Sequence, residues 1–311
     1  MKRAIITGAT GAIGTALTKE LVNNGVEVLI ITRKDSKRNE RILRHPLVSV
    51  KYAALDELAA LENDTGVQYD VFYHLAWAGA AGPGRHDMYM QNANVKFALD
   101  AVGAAKRFGC RTFIGAGSQA EYGRVGVHAG HNVDAACFEK LRPDTPAFPE
   151  MGYGYAKLCA GQMTRDLAHQ LGLEHIWVRI LSIYGPGDGA QSMVMSTIDK
   201  LKSGIVPEFT KGEQLWDYLY SGDAAEAFRL IGEKGRDGSI YVLGSGNARP
   251  LREYIETIRD IAAPGAELKL GAVPYSEKQV MYLCADVSEL ERDTGWKAHT
   301  DFADGIRSIL G

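Results

Sequence analysis

The 311-residue sequence predicts an α/β fold, a doubly wound parallel sheet carrying a smaller C-terminal lobe. Three observations predict it. Short apolar runs alternate with helix-length stretches over residues 1–184, the pattern of βαβ units whose sheet is covered on both faces. A glycine-rich turn sits directly between the first apolar run and the first helix. After Tyr184-Gly185-Pro186-Gly187 the alternation gives way to shorter, mixed elements.

The elements follow in order. Residues 4–6 (Ala-Ile-Ile) form a buried strand, and residues 14–24 a helix ended by Gly25. Residues 27–32 (Glu-Val-Leu-Ile-Ile-Thr) are the second strand, 48–53 the third and 71–75 the fourth. Helical periodicity runs over 91–108 and stops at Gly109. A fifth strand is expected at 112–115, a long helix at 153–172 and a sixth strand at 176–180. Beyond the break come a helix at 192–202, a loop at Pro207, a strand at 218–220, and helices at 222–231, 251–261 and 286–294.

Composition narrows the function classes. Hydrophobic content of 46% and charged content of 23% are ordinary for a globular chain, and a formal net charge of −3 gives no basic footprint for nucleic acid. No apolar stretch approaches the ~20 residues of a membrane span. The apolar run after Met1-Lys2-Arg3 stops at Thr7-Gly8, too short for a secretion signal, so a cytoplasmic protein is expected. Cys110, Cys137, Cys159 and Cys284 are scattered without a C-x-x-C, which argues against a disulfide or zinc framework. His45, His128, His131, His169, His175 and His299 show no ligand spacing, so no metal is expected.

Thr7-Gly8-Ala9-Thr10-Gly11-Ala12-Ile13-Gly14 occupies the strand-to-helix turn. Glycines at 8, 11 and 14 let the backbone approach a pyrophosphate, and the helix N-terminus offers free N–H groups and a positive dipole end. Gly8, Thr10, Gly11, Ala12, Ile13 and Gly14 are therefore cofactor-binding candidates in a Rossmann-type domain. An acidic residue ending the second strand would accept from the adenosine ribose; here Thr32 and Arg33 stand there, followed by Lys34, with Lys37 and Arg38 nearby. Arg33 can stack on adenine and pair with a 2′-phosphate, which favours NADP(H) and leaves NAD(H) open. Residues 1–184, with returning elements near 215–245, form the NAD(P)-binding domain, and 185–311 mainly a substrate-binding lobe.

Tyr153 and Lys157 are four apart on one helical face, where an ammonium close to the phenol favours phenolate and makes Tyr153 a usable proton donor or acceptor near neutral pH. Trp77, Arg85 and His86 lie in the loop after the fourth strand, on the carboxyl side of the sheet where ligands bind. The glycine-rich run at 79–84 gives that loop the flexibility to close on a substrate, with Arg85 as a candidate anion or sugar contact.

Taken together, these motifs resemble the extended short-chain dehydrogenase/reductase family, specifically its nucleotide-sugar epimerase, dehydratase and reductase group. The resemblance also rests on Asp70-Val71-Phe72-Tyr73-His74-Leu75-Ala76, on Asn94-Val95, and on Ser118-Gln119-Ala120-Glu121-Tyr122-Gly123. It extends to Arg179-Ile180-Leu181-Ser182-Ile183-Tyr184-Gly185-Pro186-Gly187 and Thr294-Gly295-Trp296. It implies that Leu75 and Ala76 line the cofactor, that Tyr153 is the catalytic acid/base, that Lys157 holds the nicotinamide ribose, and that Ser118 hydrogen-bonds the reacting oxygen. It implies a structural role for Asn94 and a homodimer built on the helices at 91–108 and 153–172.

Departures from the family pattern sharpen the expectation. Dehydratases place an Asp-Glu pair directly after the Ser or Thr, where this chain has Gln119 and Ala120; Glu121 is one place too late and expected to point away. Ser182 replaces the more usual Asn, and Trp216 stands where an Arg commonly touches a substrate diphosphate, with Arg249 or Arg252 as possible substitutes. Trp77, Arg85, Gln119, Ser182, Trp216 and Arg249 are the candidate substrate contacts. The expected function is an NAD(P)-dependent oxidoreductase or epimerase acting on a nucleotide sugar, leaning to reduction of a 4-keto sugar by NADPH. The alternatives are a 4-epimerase with tightly bound NAD, a reductase of a non-nucleotide carbonyl, and, last, a non-catalytic NADP(H) sensor.

Overall fold

A computed structural model describes residues 1–124 and 139–311. Cys137, His128 and His131 lie outside the described residues. In chain order the first elements are strand β1 (Arg3–Thr7), helix α1 (Ala12–Asn23), β2 (Glu27–Thr32), β3 (Val48–Tyr52) and β4 (Val71–His74). Helix α2 (Met88–Arg107), β5 (Thr112–Ala116), α3 (Gly152–Gln170) and β6 (Glu174–Ile180) follow. The second part holds helices α4 (Met193–Lys202), α5 (Ser221–Lys234), α6 (Leu251–Ala262), α7 (Ser288–Thr294) and α8 (Phe302–Leu310).

The described residues build one seven-stranded sheet, in which β3, β2, β1, β4, β5 and β6 lie side by side and strand Ile240–Leu243 adds to β6. Every pairing in it is parallel, with β1 in register with β2 (Ile5 opposite Leu29) and with β4 (Ile5 opposite Phe72). The order reverses between β1 and β4, the switch point at which doubly wound sheets open a ligand crevice. Strand residues alternate between two covered faces. Ala4 and Ile6 pack with Leu17 and Leu21 of α1 and Phe228 of α5, whereas Ile5, Phe72 and Phe113 pack with Val102 and Ala105 of α2.

Local chemistry sets the elements. Helix α1 buries Gly14, Leu17, Thr18, Leu21 and Val22, one stripe of a 3.6-residue period. Helix α2 begins three residues before the expected start because Asp87 caps it, its carboxylate accepting from the N–H groups of Tyr89 (3.1 Å) and Met90 (3.0 Å). Elements absent from the sequence-based expectation include α8, the edge strand Ile240–Leu243 and the short strand Ser182–Tyr184. A packing feature at the carboxyl end of β5 matters below. A Cβ on Gly115, Gly117 or Gly161 would come within 2.2, 2.4 and 2.9 Å of the Trp177 ring, so three glycines form the slot that receives this indole.

The lobe has its own apolar cluster, in which Val194, Ile198, Tyr254, Phe302 and Ile306 of α4, α6 and α8 gather around Tyr184. Strand Tyr218–Tyr220 pairs in parallel with Ser182–Tyr184, and α5 leads the chain from there back onto α1. Among the described residues no helix is long and apolar enough to cross a membrane, and no group of three or more His, Cys, Asp or Glu could hold a metal ion.

Candidate active site

The glycine turn is stitched to the end of β4. Gly8 has a φ of +79°, and a Cβ on it would meet the Ala76 nitrogen at 2.6 Å and the Leu75 carbonyl carbon at 2.7 Å. A Cβ on Gly14 would lie 2.2 Å from the Gly8 oxygen. Thr7 adds a polar stitch, its hydroxyl 2.9 Å from His74 Nδ1 and accepting from the Ala76 N–H at 3.4 Å. Burial lowers the His74 imidazole to about 3, so the ring that shares this hydrogen bond with Thr7 is neutral.

Gly11 caps α1 and differs from its two partners: a Cβ there would have only the Gly8 oxygen nearby, at 3.7 Å, and Gly11 faces the cleft. The first N–H groups of a helix have no partner within it, and here they open into the same cleft. A backbone cradle of this kind fits a dinucleotide pyrophosphate.

The cleft has two connected sections sharing Gly8, Gly11, Leu75 and Trp77. The larger, about 1020 Å³, runs from Thr10 to the end of β2, where Thr32, Arg33, Ser36, Lys37 and Arg38 line it together with Asp35 and Asp56. The smaller, about 340 Å³, is lined by Ala12, Ile13, Ser118, Gln119, Tyr153 and Lys157, with Trp77 and Arg85 over them.

In the smaller section Ser118 begins a 3₁₀ turn, Gln119–Glu121, and its Oγ accepts from the Ala120 N–H at 3.1 Å. Tyr153 and Lys157 come from the first turns of α3, both buried. Burial raises the Tyr153 phenol above its ordinary value, while a hydrogen bond with Ser118 and the charge of Arg85 pull it down. Lys157 Nζ is 5.8 Å from the Tyr153 ring centroid, donates to the Ala116 carbonyl at 2.6 Å and lies 3.6 Å from the centroid of the Trp77 ring. Burial also lowers this ammonium to about 7.

The loop after β4 departs from expectation as well. Residues Gly82–His86 form a 3₁₀ turn. Gln91, buried on α2, donates to the carbonyls of Gly79 (3.1 Å) and Gly84 (2.8 Å) and accepts from Trp77 Nε1 at 2.8 Å. Asn94 fastens the loop's start, bonding both the N–H and the C=O of Ala78 at 2.9 Å. The glycine run is therefore pinned rather than slack. Glu121 points away from the cleft: its carboxylate accepts from the Ser118 N–H (2.8 Å), Trp177 Nε1 (3.0 Å) and Arg179 Nε (2.8 Å).

Of the candidate substrate contacts, Trp77, Arg85 and Gln119 share the section with Tyr153, and the buried Gln119 Oε1 has no hydrogen-bond partner there. Ser182, Trp216 and Arg249 gather separately in the lobe, where Trp216 Nε1 donates to Ser182 Oγ at 2.8 Å and Arg249 stacks 4.6 Å from the Tyr254 centroid. The acidic lining residues Asp35, Asp56 and Asp188 escaped the sequence reading. Asp188 follows the Gly-Pro-Gly turn, and burial raises its carboxyl; its place beside that turn was a usable signal. Asp56 follows β3 on an irregular segment that gave none.

Comparison with known proteins agrees with this geometry. Residues 4–244 match the model of the NAD dependent epimerase/dehydratase family. CDP-abequose synthase of Salmonella typhimurium is 24% identical, aligned over 98% of this chain and 96% of its own. A probable dTDP-glucose 4,6-dehydratase of Sinorhizobium fredii is 25% identical over 99% of this chain and 91% of its own. The crystal structure of the Thermotoga maritima UDP-glucose 4-epimerase, bound to UDP-glucose, superposes with a TM-score of 0.83 at 19% identity, covering 99% of this chain and 97% of that one.

Proposed function

This chain belongs to the NAD dependent epimerase/dehydratase family, and from that premise we propose an NAD(P)-dependent enzyme acting on a nucleotide-linked sugar, by NADPH-dependent reduction of a 4-keto sugar. One observation carries the reading: the glycine cradle and the Ser118, Tyr153 and Lys157 side chains line a single connected cleft. A bound nicotinamide supplies the hydride. Tyr153 delivers the matching proton to the carbonyl oxygen, and Ser118, already bonded to the phenol, holds that oxygen. Lys157 positions the nicotinamide ribose, and the unpartnered Gln119 oxygen takes a sugar hydroxyl.

Gln119 and Ala120 at the start of the serine turn, with Glu121 committed to Arg179, leave this turn without a free acid for expelling water from the sugar. That favours simple reduction over dehydration. Arg33, Lys37 and Arg38 at the end of the larger section support a 2′-phosphate and hence NADPH. The deciding experiment follows NADPH and NADH oxidation with CDP-, dTDP-, UDP- and GDP-linked 4-keto-6-deoxy sugars. Turnover with one of them, lost in Tyr153→Phe, is expected; no turnover and no thermal shift with any nucleotide would sink the reading.

Epimerisation is the second reading, favoured by Asp35 and Asp56 in the same section, since a carboxylate there accepts from a ribose hydroxyl and repels a phosphate. NAD⁺ released on denaturing the purified protein would establish it. A homodimer through α2 and α3 is part of the proposal, supported by Tyr89, Tyr155 and Met163 standing exposed on those helices.

A further inference from the structure

Trp77 stands where the two sections of the cleft meet and touches both members of the helical pair. Lys157 Nζ lies 3.6 Å from the centroid of its ring, and the Tyr153 ring meets it edge-on at 6.2 Å and 86°. The indole is fixed in place. Its Nε1 donates to Gln91 Oε1 at 2.8 Å, and it packs against Val95 and Ala98 of α2 and Ala156 and Ala160 of α3. Gln91 is itself buried, and its amide nitrogen serves the carbonyls of Gly79 and Gly84, which leaves its oxygen for the indole.

We propose that Trp77 is a positioning residue of this site, its indole face holding the Lys157 ammonium charged and aimed beside Tyr153. The inference rests on the reading of Lys157 as the group that holds the nicotinamide ribose. A cation taken out of water needs compensation, and Lys157 is only 3% exposed. Its ammonium has three N–H donors, of which one goes to the Ala116 carbonyl at 2.6 Å. An indole face is the best aromatic partner for a cation, and it attracts the charge without an ion pair that a ribose would have to break. The ammonium thus keeps both its charge and a donor for a ribose hydroxyl. The other described groups around it do not supply this. The Tyr153 ring centroid is 5.8 Å away, buried His74 of β4 is neutral, and Arg85 carries the same sign. Asp188 lines the section with its Oδ1 accepting from the Gly189 N–H at 2.7 Å. Glu121 attracts the ammonium from behind the serine turn, its carboxylate already committed to Ser118, Trp177 and Arg179.

The test replaces Trp77 alone, in the full chain, by tryptophans carrying one to four ring fluorines, which weaken the face stepwise at nearly constant shape. Lys157 is titrated by NMR in protein labelled with ¹³Cε,¹⁵Nζ-lysine, its signal assigned by its loss in Lys157→Arg. The Lys157 pKa should fall with each fluorine, by about half to one pH unit for the full set. Trp77→Phe, which keeps an aromatic face, should lower it less than Trp77→Leu, and melting curves establish that each variant is folded. A Lys157 pKa that stays put across the fluorinated series would overturn the proposal and leave Trp77 as packing alone. So would a folded Trp77→Leu whose Lys157 pKa equals or exceeds that of the parent. The titration uses no cofactor, substrate or turnover, so it stands or fails independently of the Tyr153→Phe activity assay.

Discussion

Glu121 and Arg179 form an ion pair sealed behind the serine turn, Nε to Oε2 at 2.8 Å, with side chains 1% and 4% exposed. Arg179 also stacks 4.6 Å from the Tyr122 centroid and donates to the Pro143 carbonyl, while Glu121 holds the Ser118 N–H. The pair therefore sets where Ser118 stands. Glu121→Gln leaves the guanidinium buried without its charge partner, a change that costs about 3–5 kcal/mol. Urea unfolding should show that loss. Combining Glu121→Gln with Arg179→Met should recover at least half of it, and a double variant no more stable than the single would refute the charge argument.

The glycine turn predicts a contrast between neighbours. Gly14→Ala drives a methyl to within 2.2 Å of the Gly8 oxygen and should destabilise the fold as well as abolish cofactor binding. Gly11→Ala has space in the protein, with 3.7 Å to its nearest neighbour, but projects into the cleft. It should leave the melting temperature nearly unchanged and weaken nucleotide binding, measured by fluorescence titration, at least tenfold (about 1.4 kcal/mol).

Two buried histidines make the fold acid-sensitive. Burial lowers His74 and His175 to about 3, below the 6.5 of an unfolded chain. Each contributes fully above pH 6.5, and its contribution is lost as pH falls from 6.5 toward 3, because the unfolded chain binds the proton first. Together they add up to roughly 2.7 kcal/mol per pH unit in the middle of that window. Denaturation midpoints of His74→Gln between pH 6 and 4 should fall about half as steeply from this source, and an unchanged slope would remove His74 from the account.

Cofactor choice follows from the end of β2. If Arg33 holds a 2′-phosphate, Arg33→Glu should lower kcat/KM for NADPH by about 10- to 100-fold, the worth of one charge-assisted contact. NADH should be little affected. A variant that retains its NADPH preference would shift the role to Lys37 or Arg38, which line the same section.

For the proposed dimer, Tyr155→Asp places a charge on the exposed face of α3. Light scattering should report a dimer for the parent chain and a monomer for the variant. A monomeric parent would end that proposal.

What the sequence made legible was whatever chemistry is local. The glycine turn is read from spacing alone because strand, turn and helix are consecutive, and Tyr153 and Lys157 share a face by helical arithmetic. Relations between distant segments were not legible. Arg85 lies 68 positions from the ring it covers, and Glu121 lies 58 from Arg179, so neither partnership leaves a pattern in the chain. The surroundings of the pair were not legible for the same reason: spacing gives proximity of Tyr153 to Lys157, but the carbonyl that accepts from Lys157 Nζ comes from β5. Gly79, Gly82 and Gly84 suggested freedom until Gln91 of α2 was seen to hold the loop by its carbonyls.

The slot that three glycines make for Trp177 has a consequence for descent. The indole fills the space that Gly115, Gly117 and Gly161 leave, and hands its N–H to Glu121. No one of these positions can change alone: a methyl at any glycine evicts the ring, and a smaller residue at 177 opens a void and leaves Glu121 Oε1 with the Ser118 N–H but without the indole donor. On this packing the four should be inherited together or lost together, so that among relatives they mark which ones share this serine turn's foundation.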